Sequence, residues 1–419
     1  MTLMIICTVT CADYLYKALV LAKSSKEQMP DVKIALCLLE KEVPESLHKY
    51  GLIDHIFLAK DIGIPNFEAF ISKYSNYEAS TAIKGYFFTY LLNHFYEENN
   101  FIFLDPDIYV LQPFNEVKDA LDTHPIILTP QVNSPMKSIE TIDDIELTHL
   151  TYGVFNMGFF AFRRDGESTK FINWYTDRLD YACYNDVEYG VFVDQKWVNL
   201  APAFFNLYIL KHKGYNVAQW NLPEREITKD DTGSYIVDNV PLVFYHFSGL
   251  GTHAEEREKK YIKSGNNAFF ELKHEYINLL NMMGKSEFEN IPWSYDSPIK
   301  LGRNLFYRRV INEVFNSQRT DHTSIQELNS LSSLYKHIAI IGPTNSCKML
   351  KRSLLHKNNN LKIKIIPQNN HYLTSAKEIL EKRHVDLLIF VNTNNEYSIT
   401  EYFNYYNKNL INSITFINI

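Results

Sequence analysis

The chain has 419 residues, 46% hydrophobic and 22% charged, with a net charge of −7. That length exceeds one ordinary domain, and the composition excludes disorder or coiled coil as the main character. The acidic balance excludes a broad electropositive field, so nucleic acid is not an expected partner.

Residues 3–9 (LMIICTV) form a short continuous apolar run, the pattern of a strand buried on both faces. No basic region precedes it, so it reads as a first strand and not as a targeting segment. No run of about 18 apolar residues follows anywhere, so nothing is expected to span a bilayer. Helical spacing at 13–25, a strand at 32–39 and a strand at 53–58 give β-α-β-α-β order and predict a mainly parallel sheet. A helix is predicted over 80–96 with Asn100 as its stop, then a strand at 101–104 and an extended stretch at 108–111. Further strands are expected at 125–129, 154–162 and 241–247, a loop at 134–144, a helix at 169–181, mixed short elements at 191–210 and helical text from 255 to about 281.

An aromatic, basic connector at 291–310 leads to a Ser-rich candidate linker at 323–333. It is expected to pack between domains, with contact to an anionic membrane face as the alternative. Alternation then restarts: strands at 337–341, 362–366 and 385–391 and helices at 347–355 and 375–381, a small three-stranded α/β domain. From 337 to 419 ten Lys/Arg stand against five Asp/Glu, so this part carries +5 and the rest −12. The step Gly342-Pro343-Thr344-Asn345-Ser346-Cys347-Lys348-Met349 lacks the Gly before Lys and the Ser/Thr after it that a P-loop needs. The cysteines Cys7, Cys11, Cys37, Cys183 and Cys347 are odd in number with no CxxC pair, which suggests neither a disulfide framework nor a zinc site and fits a reducing cytoplasm. The 28 Tyr and 27 Phe read mainly as compositional bias.

The strongest chemical signal is at 101–110, FIFLDPDIYV. Asp105 and Asp107 lie two apart after four apolar residues, and in extended backbone i and i+2 point to one side. Both carboxylates then project from the carboxyl end of a buried strand, where open α/β sheets bind ligands. Two hard oxygen ligands with open positions suit Mg²⁺ or Mn²⁺ held with a diphosphate. Asp-Pro-Asp is also good turn chemistry.

This stretch resembles the DxD strand of nucleotide-sugar glycosyltransferases of the GT-A fold, particularly the glycogenin-like and lipopolysaccharide galactosyltransferase-like retaining enzymes. The resemblance covers about residues 1–255. It implies a Rossmann-like α/β GT-A domain with a mixed sheet over 1–255; the pattern of the chain adds a helical extension and linker over 256–335 and a small Rossmann-like α/β domain over 336–419. It implies that Asp105 and Asp107 hold Mn²⁺ or Mg²⁺ against the donor diphosphate, with His246 in Tyr245-His246-Phe247-Ser248-Gly249 as third ligand and Gly249 beside the phosphates. Thr8, Thr10 and Tyr14 match the element that holds base and ribose, and Lys84 the basic helix residue near the phosphates. Asn156 and Gly158 are similar to the strand beside the donor sugar, and Asp194 and Gln195 to the Asp-Gln element at the attacked carbon. A lysine expected after the His segment is replaced by Leu250-Gly251-Thr252-His253, which leaves Lys84 or backbone N–H groups to clamp the diphosphate.

The implied activity is transfer of a sugar from a nucleotide donor, UDP-linked by expectation, to a saccharide or lipid-linked saccharide in surface polysaccharide assembly. Retention of configuration is expected, with Asp194 orienting the sugar; inversion would make Asp194 or Glu188 the general base. The expected location is the cytoplasm or the inner face of the membrane. The alternatives are a nucleotidyltransferase acting on sugar phosphates, disfavoured because residues 8–13 hold no Gly-rich loop, and a non-catalytic nucleotide- or sugar-binding protein.

Overall fold

The computed structural model describes residues 4–296 except 72, 188, 189, 253 and 264, and beyond them 337–342, 348, 351, 362–367, 387–391 and 414–417. The predicted linker, the connector past residue 296, the C-terminal helices, Cys347 and Glu188 lie outside the described residues. The chain divides into two compact units, Met1–Pro298 and Ile299–Ile419.

The first unit is an α/β fold on a seven-stranded mixed sheet. Its strands are β1 (Met4–Thr10), β2 (Lys33–Leu38), β3 (His55–Leu58), β4 (Asn100–Leu104), β6 (Ile126–Pro130), β7 (Phe155–Arg163) and the short β8 (Tyr208–Ile209), with β5 (Ile108–Val110) outside it. The order is β8-β6-β7-β4-β1-β2-β3. β1 is parallel to β2 and β4, β2 to β3, and β6 to β8. β7 is antiparallel to both β4 and β6. Its sequence is apolar on both faces, so nothing in the alternation marks its direction.

Alternation along β4 and β7 sorts side chains between two layers. Ile102, Leu104, Phe159 and Ala161 enter an aliphatic core with helix α1 (Leu15–Gln28). Phe101, Phe103, Phe160 and Phe162 meet an aromatic layer under helices α2 (Lys84–His94) and α3 (Gly166–Ala182). There Phe88 lies 5.5 Å from Phe103 and 5.3 Å from Phe160, and Phe160 stacks on Phe171 at 5.1 Å. Each such ring contributes on the order of 2–3 kcal/mol by burial. Much of the Tyr/Phe surplus is therefore core.

The helix predicted over 80–96 is two segments, Asn76–Ala82 and α2. A capping box from Ser75 and Glu78 starts the first. Asn100 opens β4 and does not stop a helix. The expected loop at 134–144 becomes helical at Ile139–Thr141 and passes through one π-helical turn at Ile142–Glu146 into Leu147–Tyr152. The strand expected at 241–247 is shorter: β9 (Phe244–His246) pairs with β5 and not with the main sheet. Past residue 255, helix α4 (Asn267–Met282) buries Phe269, Leu272, Tyr276 and Leu280 in a core that also holds Leu15 and Leu19 of α1 and Leu36 of β2. Trp293 Nε1 donates to the Leu39 carbonyl at 2.9 Å, so the start of the aromatic connector docks on this unit.

The second unit carries a four-stranded parallel sheet in the order Lys362–Pro367, His337–Gly342, Leu387–Val391, Ile414–Ile417. Three of these strands match the sequence reading. The fourth, Ile414–Ile417, is an addition to it.

Candidate active site

The β4–β7 ladder runs one rung past β4: the Asp105 N–H donates to the Gly158 carbonyl at 2.8 Å. The chain then turns, with the Ile108 N–H reaching the Asp105 carbonyl at 3.2 Å. Pro106 stands at the second position of this turn, where its fixed φ belongs. Asp-Pro-Asp is therefore a turn, and the two carboxylates converge by turning, not by extended alternation. β5 leaves the turn and pairs antiparallel with β9, with His246 opposite Ile108. This ribbon brings the imidazole over the turn: His246 Nε2 lies 3.0 Å from Asp107 Oδ1 and 3.8 Å from Asp105 Oδ2. One ligand atom from each of Asp105, Asp107 and His246 falls within 4.8 Å of the others.

Asn216 sets the tautomer of His246, and the sequence reading missed it. Its amide nitrogen donates to Thr129 Oγ1 at 2.9 Å and Asn156 Oδ1 at 3.1 Å, so its Oδ1 faces His246 Nδ1 at 3.2 Å and accepts from it. Nε2 is left facing two carboxylates, an arrangement that requires a cation between them, either a proton or a metal ion. The residues thus fit a divalent ion: two hard oxygens, one oriented imidazole nitrogen and a cleft on the open side. Gly158 is part of the fit. A Cβ there would sit 2.4 Å from His246 Cε1 and 2.8 Å from Asp105 Oδ2.

Burial pushes both carboxyls up. At Asp107 the imidazole of His246 and then Lys17 outweigh burial and hold the carboxyl at about 2. At Asp105 burial prevails over Lys84 and His246, and the carboxyl lies above its ordinary value. Lys17 Nζ is 3.9 Å from Asp107 Oδ2 and packs over the Tyr14 ring. Sequence reasoning missed Lys17, although a cation in an apolar helix is the same signal that marked Lys84.

Lys84 opens α2 and is buried. Its Nζ donates to Asp194 Oδ2 at 3.0 Å and the Met157 carbonyl at 3.1 Å, and lies 3.3 Å from Asp105 Oδ1. Burial lowers its pKa, but Asp105 and then Asp194 more than restore it, so it stays charged. Tyr175 donates its hydroxyl to Asp194 Oδ2 at 2.7 Å. Val193, just before Asp194, holds φ at 39°, strained for a β-branched residue. Such strain persists where the surroundings over-determine it, as at binding sites. Asn156 Nδ2 reaches Gln195 Oε1 at 3.4 Å, Asn156 Oδ1 accepts from the Gly158 N–H at 3.0 Å, and Gln195 Nε2 donates to the Tyr152 carbonyl at 3.0 Å.

These groups open into a cleft of about 1500 Å³. It is lined by Thr10, Tyr14, Lys84, Asp105, Asp107, Asn156, Gly158, Asp194, Gln195, His246 and Gly249, all predicted from sequence. Thr8, also predicted, is buried and outside the lining. Glu40 Oε1 accepts from the Ala12 N–H at 2.9 Å and fixes the turn that carries Tyr14.

His149, on the Leu147–Tyr152 helix, also lines the cleft. Burial, then the charge of Arg257, lowers its pKa to about 4. Between that value and its ordinary 6.5 the unfolded chain binds the extra proton, so acid favours unfolding. The contribution is complete above pH 6.5 and is lost as pH falls through about 4, by about 2–3 kcal/mol. Denaturant titrations at pH 7 and 4.5 should show that His149→Phe flattens this decline.

No known family profile matches the chain. It is 25% identical over 248 residues to the uncharacterized protein YfnF of Bacillus subtilis (strain 168), covering 58% of this chain and 80% of that one. It is 23% identical over 256 residues to YfnD of the same organism, covering 60% and 79%. Among solved structures it is similar to galactosyltransferase LgtC in complex with donor and acceptor sugar analogs, at 16% identity and TM-score 0.40, covering 69% of this chain and 97% of that chain. It is also similar to the glycosyltransferase GlyE of Streptococcus pneumoniae TIGR4, at 12% identity and TM-score 0.39, covering 100% and 91%. At such TM-scores these likenesses say nothing about this chain's chemistry. No helix among the described residues is long and apolar enough to cross a membrane.

Proposed function

We propose that the cleft transfers a glycosyl group from a nucleoside-diphosphate sugar, UDP-linked, to a saccharide hydroxyl, with a divalent cation held by Asp105, Asp107 and His246. The observation that carries this reading is the convergence of those three ligands at the carboxyl end of β4, open to a cleft large enough for a nucleotide sugar. One imidazole beside two carboxylates favours Mn²⁺ over Ca²⁺ or Mg²⁺. When bound, the ion neutralises charge on the departing diphosphate.

The rest is work for the chain's own side chains. Thr10 and Tyr14 face the base and ribose, Gly249 offers backbone to the phosphates, and Lys84 supplies the fixed cation that the missing lysine after His246 would have given. Asn156 and Gln195 are tied to each other and bind the donor sugar from the β7 side. Asp194 Oδ2 already accepts from Lys84 and Tyr175, which suits a group that orients the sugar and not one that takes up a proton. Retention, with the acceptor proton leaving to the departing phosphate, is consistent with that.

Two experiments test this. Released UDP should be detected from at least one UDP-sugar with Mn²⁺ and not with EDTA; a protein that only binds would release none. Asp194→Asn should slow turnover by less than about 10²-fold and leave the shape of the pH–rate profile intact. A larger loss with one limb of the profile removed would make Asp194 the base.

A further inference from the structure

Helix α1 buries a cation that the proposed mechanism does not use. Lys17 is the third residue of α1, and its side chain is 8% exposed. Its neighbours Leu15, Tyr16, Ala18 and Leu19 are core, and an apolar side chain would continue that surface. Burying an ammonium group is costly unless it is closely paired and hydrogen-bonded. Lys17 is neither. Among the described residues its one ion pair is with Asp107, Nζ to Oδ2 at 3.9 Å, beyond hydrogen-bond reach. Its position is fixed from the other side, by the Tyr14 ring, whose centroid lies 3.9 Å from Nζ. Lys17 therefore spans two parts of the cleft: the exposed Tyr14 ring at its mouth and Asp107 at the candidate cation site.

The effect of Lys17 on Asp107 is electrostatic. On the other side of the turn, Lys84 Nζ lies 3.3 Å from Asp105 Oδ1. Each carboxylate that would hold a divalent ion thus already faces a buried lysine. A bare ion must enter between two cations, and repulsion is strong where water is excluded. A diphosphate that arrives with the ion brings the negative charge that offsets it. The two lysines differ in one respect. Lys84 also pairs with Asp194 at 3.0 Å, so removing it strands a second carboxylate. Lys17 pairs with Asp107 alone, and Asp107 keeps His246 Nε2 at 3.0 Å.

We propose that Lys17 is a positioning residue that makes the cation site conditional: it occupies Asp107 and disfavours a bare divalent ion, so the ion is taken up together with a diphosphate. The proposal rests on the nucleotide-sugar reading for the identity of that diphosphate. Because Lys17 also pins the Tyr14 ring, one side chain links the base side of the cleft to its metal side.

The test is calorimetric titration of Mn²⁺ into the full chain, alone and with UDP in excess, for wild type, Lys17→Met and Lys17→Arg. In wild type, UDP should tighten Mn²⁺ binding at least tenfold. Lys17→Met should bind bare Mn²⁺ at least tenfold more tightly than wild type and lose most of the gain that UDP brings, since the coupling of two ligands is reciprocal. Lys17→Arg keeps the charge and should keep the weak bare-ion binding. A lysine that only packs would give the reverse, with Lys17→Met binding the ion no better than wild type. Thermal unfolding checks that the variants fold, and Lys17→Gln replaces Lys17→Met if it does not. The proposal is overturned if the folded neutral variant binds bare Mn²⁺ no more tightly than wild type, or if Lys17→Arg behaves like Lys17→Met. If UDP binds wild type neither with Mn²⁺ nor without it, the transferase reading falls. Inorganic pyrophosphate then replaces UDP, and the bare-ion comparison still decides the role of Lys17.

Discussion

Lys84→Met should destabilise the first unit by about 3–5 kcal/mol, the usual cost of leaving buried partners without their counter-charge. Lys84 is buried and bridges Asp194 and Asp105, offsetting the repulsion between the two carboxylates. Methionine fills a similar volume but leaves two carboxylates facing each other with no cation. For a unit of this size the midpoint of thermal unfolding should drop by roughly 10 °C. The double variant Lys84→Met/Asp194→Asn should recover part of the loss, because it removes one of the stranded charges. Added Mn²⁺ should also recover part of it by neutralising Asp105. Turnover should fall by about 10²–10³-fold, the scale for removing one fixed charge from a transfer site. A single variant within about 1 kcal/mol of wild type would mean that the Lys84 pairs are not a working charge network.

Gly158→Ala should separate the metal site from the fold. The added Cβ would meet His246 Cε1, Asp105 Oδ2 and Asn156 Oδ1 at 2.4–2.8 Å. Two of these three residues are proposed cation ligands, so at least one must move, and Mn²⁺ affinity should fall by about 10²-fold. β7 is ordinary extended backbone at this point, so the apo protein should lose only about 1–3 kcal/mol, the scale of overpacking. Gly166→Ala is the control, since a Cβ there meets nothing within 4 Å. If Gly158→Ala keeps full metal affinity, the close approach of β7 to the cation ligands is not part of the site.

The cleft was legible where chemistry interrupts an apolar run. Asp105 and Asp107 follow FIFL, Asn156 stands inside β7, and His246 ends β9, so each is a polar residue that needs a reason. Lys84 stood out in the same way. What was not legible depends on long-range approach. Asn216 comes from a stretch with no periodicity and is recognised only by what its amide touches. Tyr175 sits on an amphipathic helix, where a buried tyrosine is indistinguishable from core. The direction of β7 was hidden because a strand buried on both faces reads the same in either sense. The fourth strand of the second sheet was hidden by its length, four residues in Asn-rich text.

The central claim is that Asp105, Asp107 and His246 hold a divalent cation that in turn holds a nucleoside diphosphate. Calorimetric titration of UDP into the full chain, with Mn²⁺ and with EDTA, tests it most directly. Tight binding is expected with Mn²⁺, at least tenfold weaker binding in EDTA, and loss of that difference in Asp107→Ala. Equal binding in Mn²⁺ and EDTA, or a metal effect that survives Asp107→Ala, would contradict the claim.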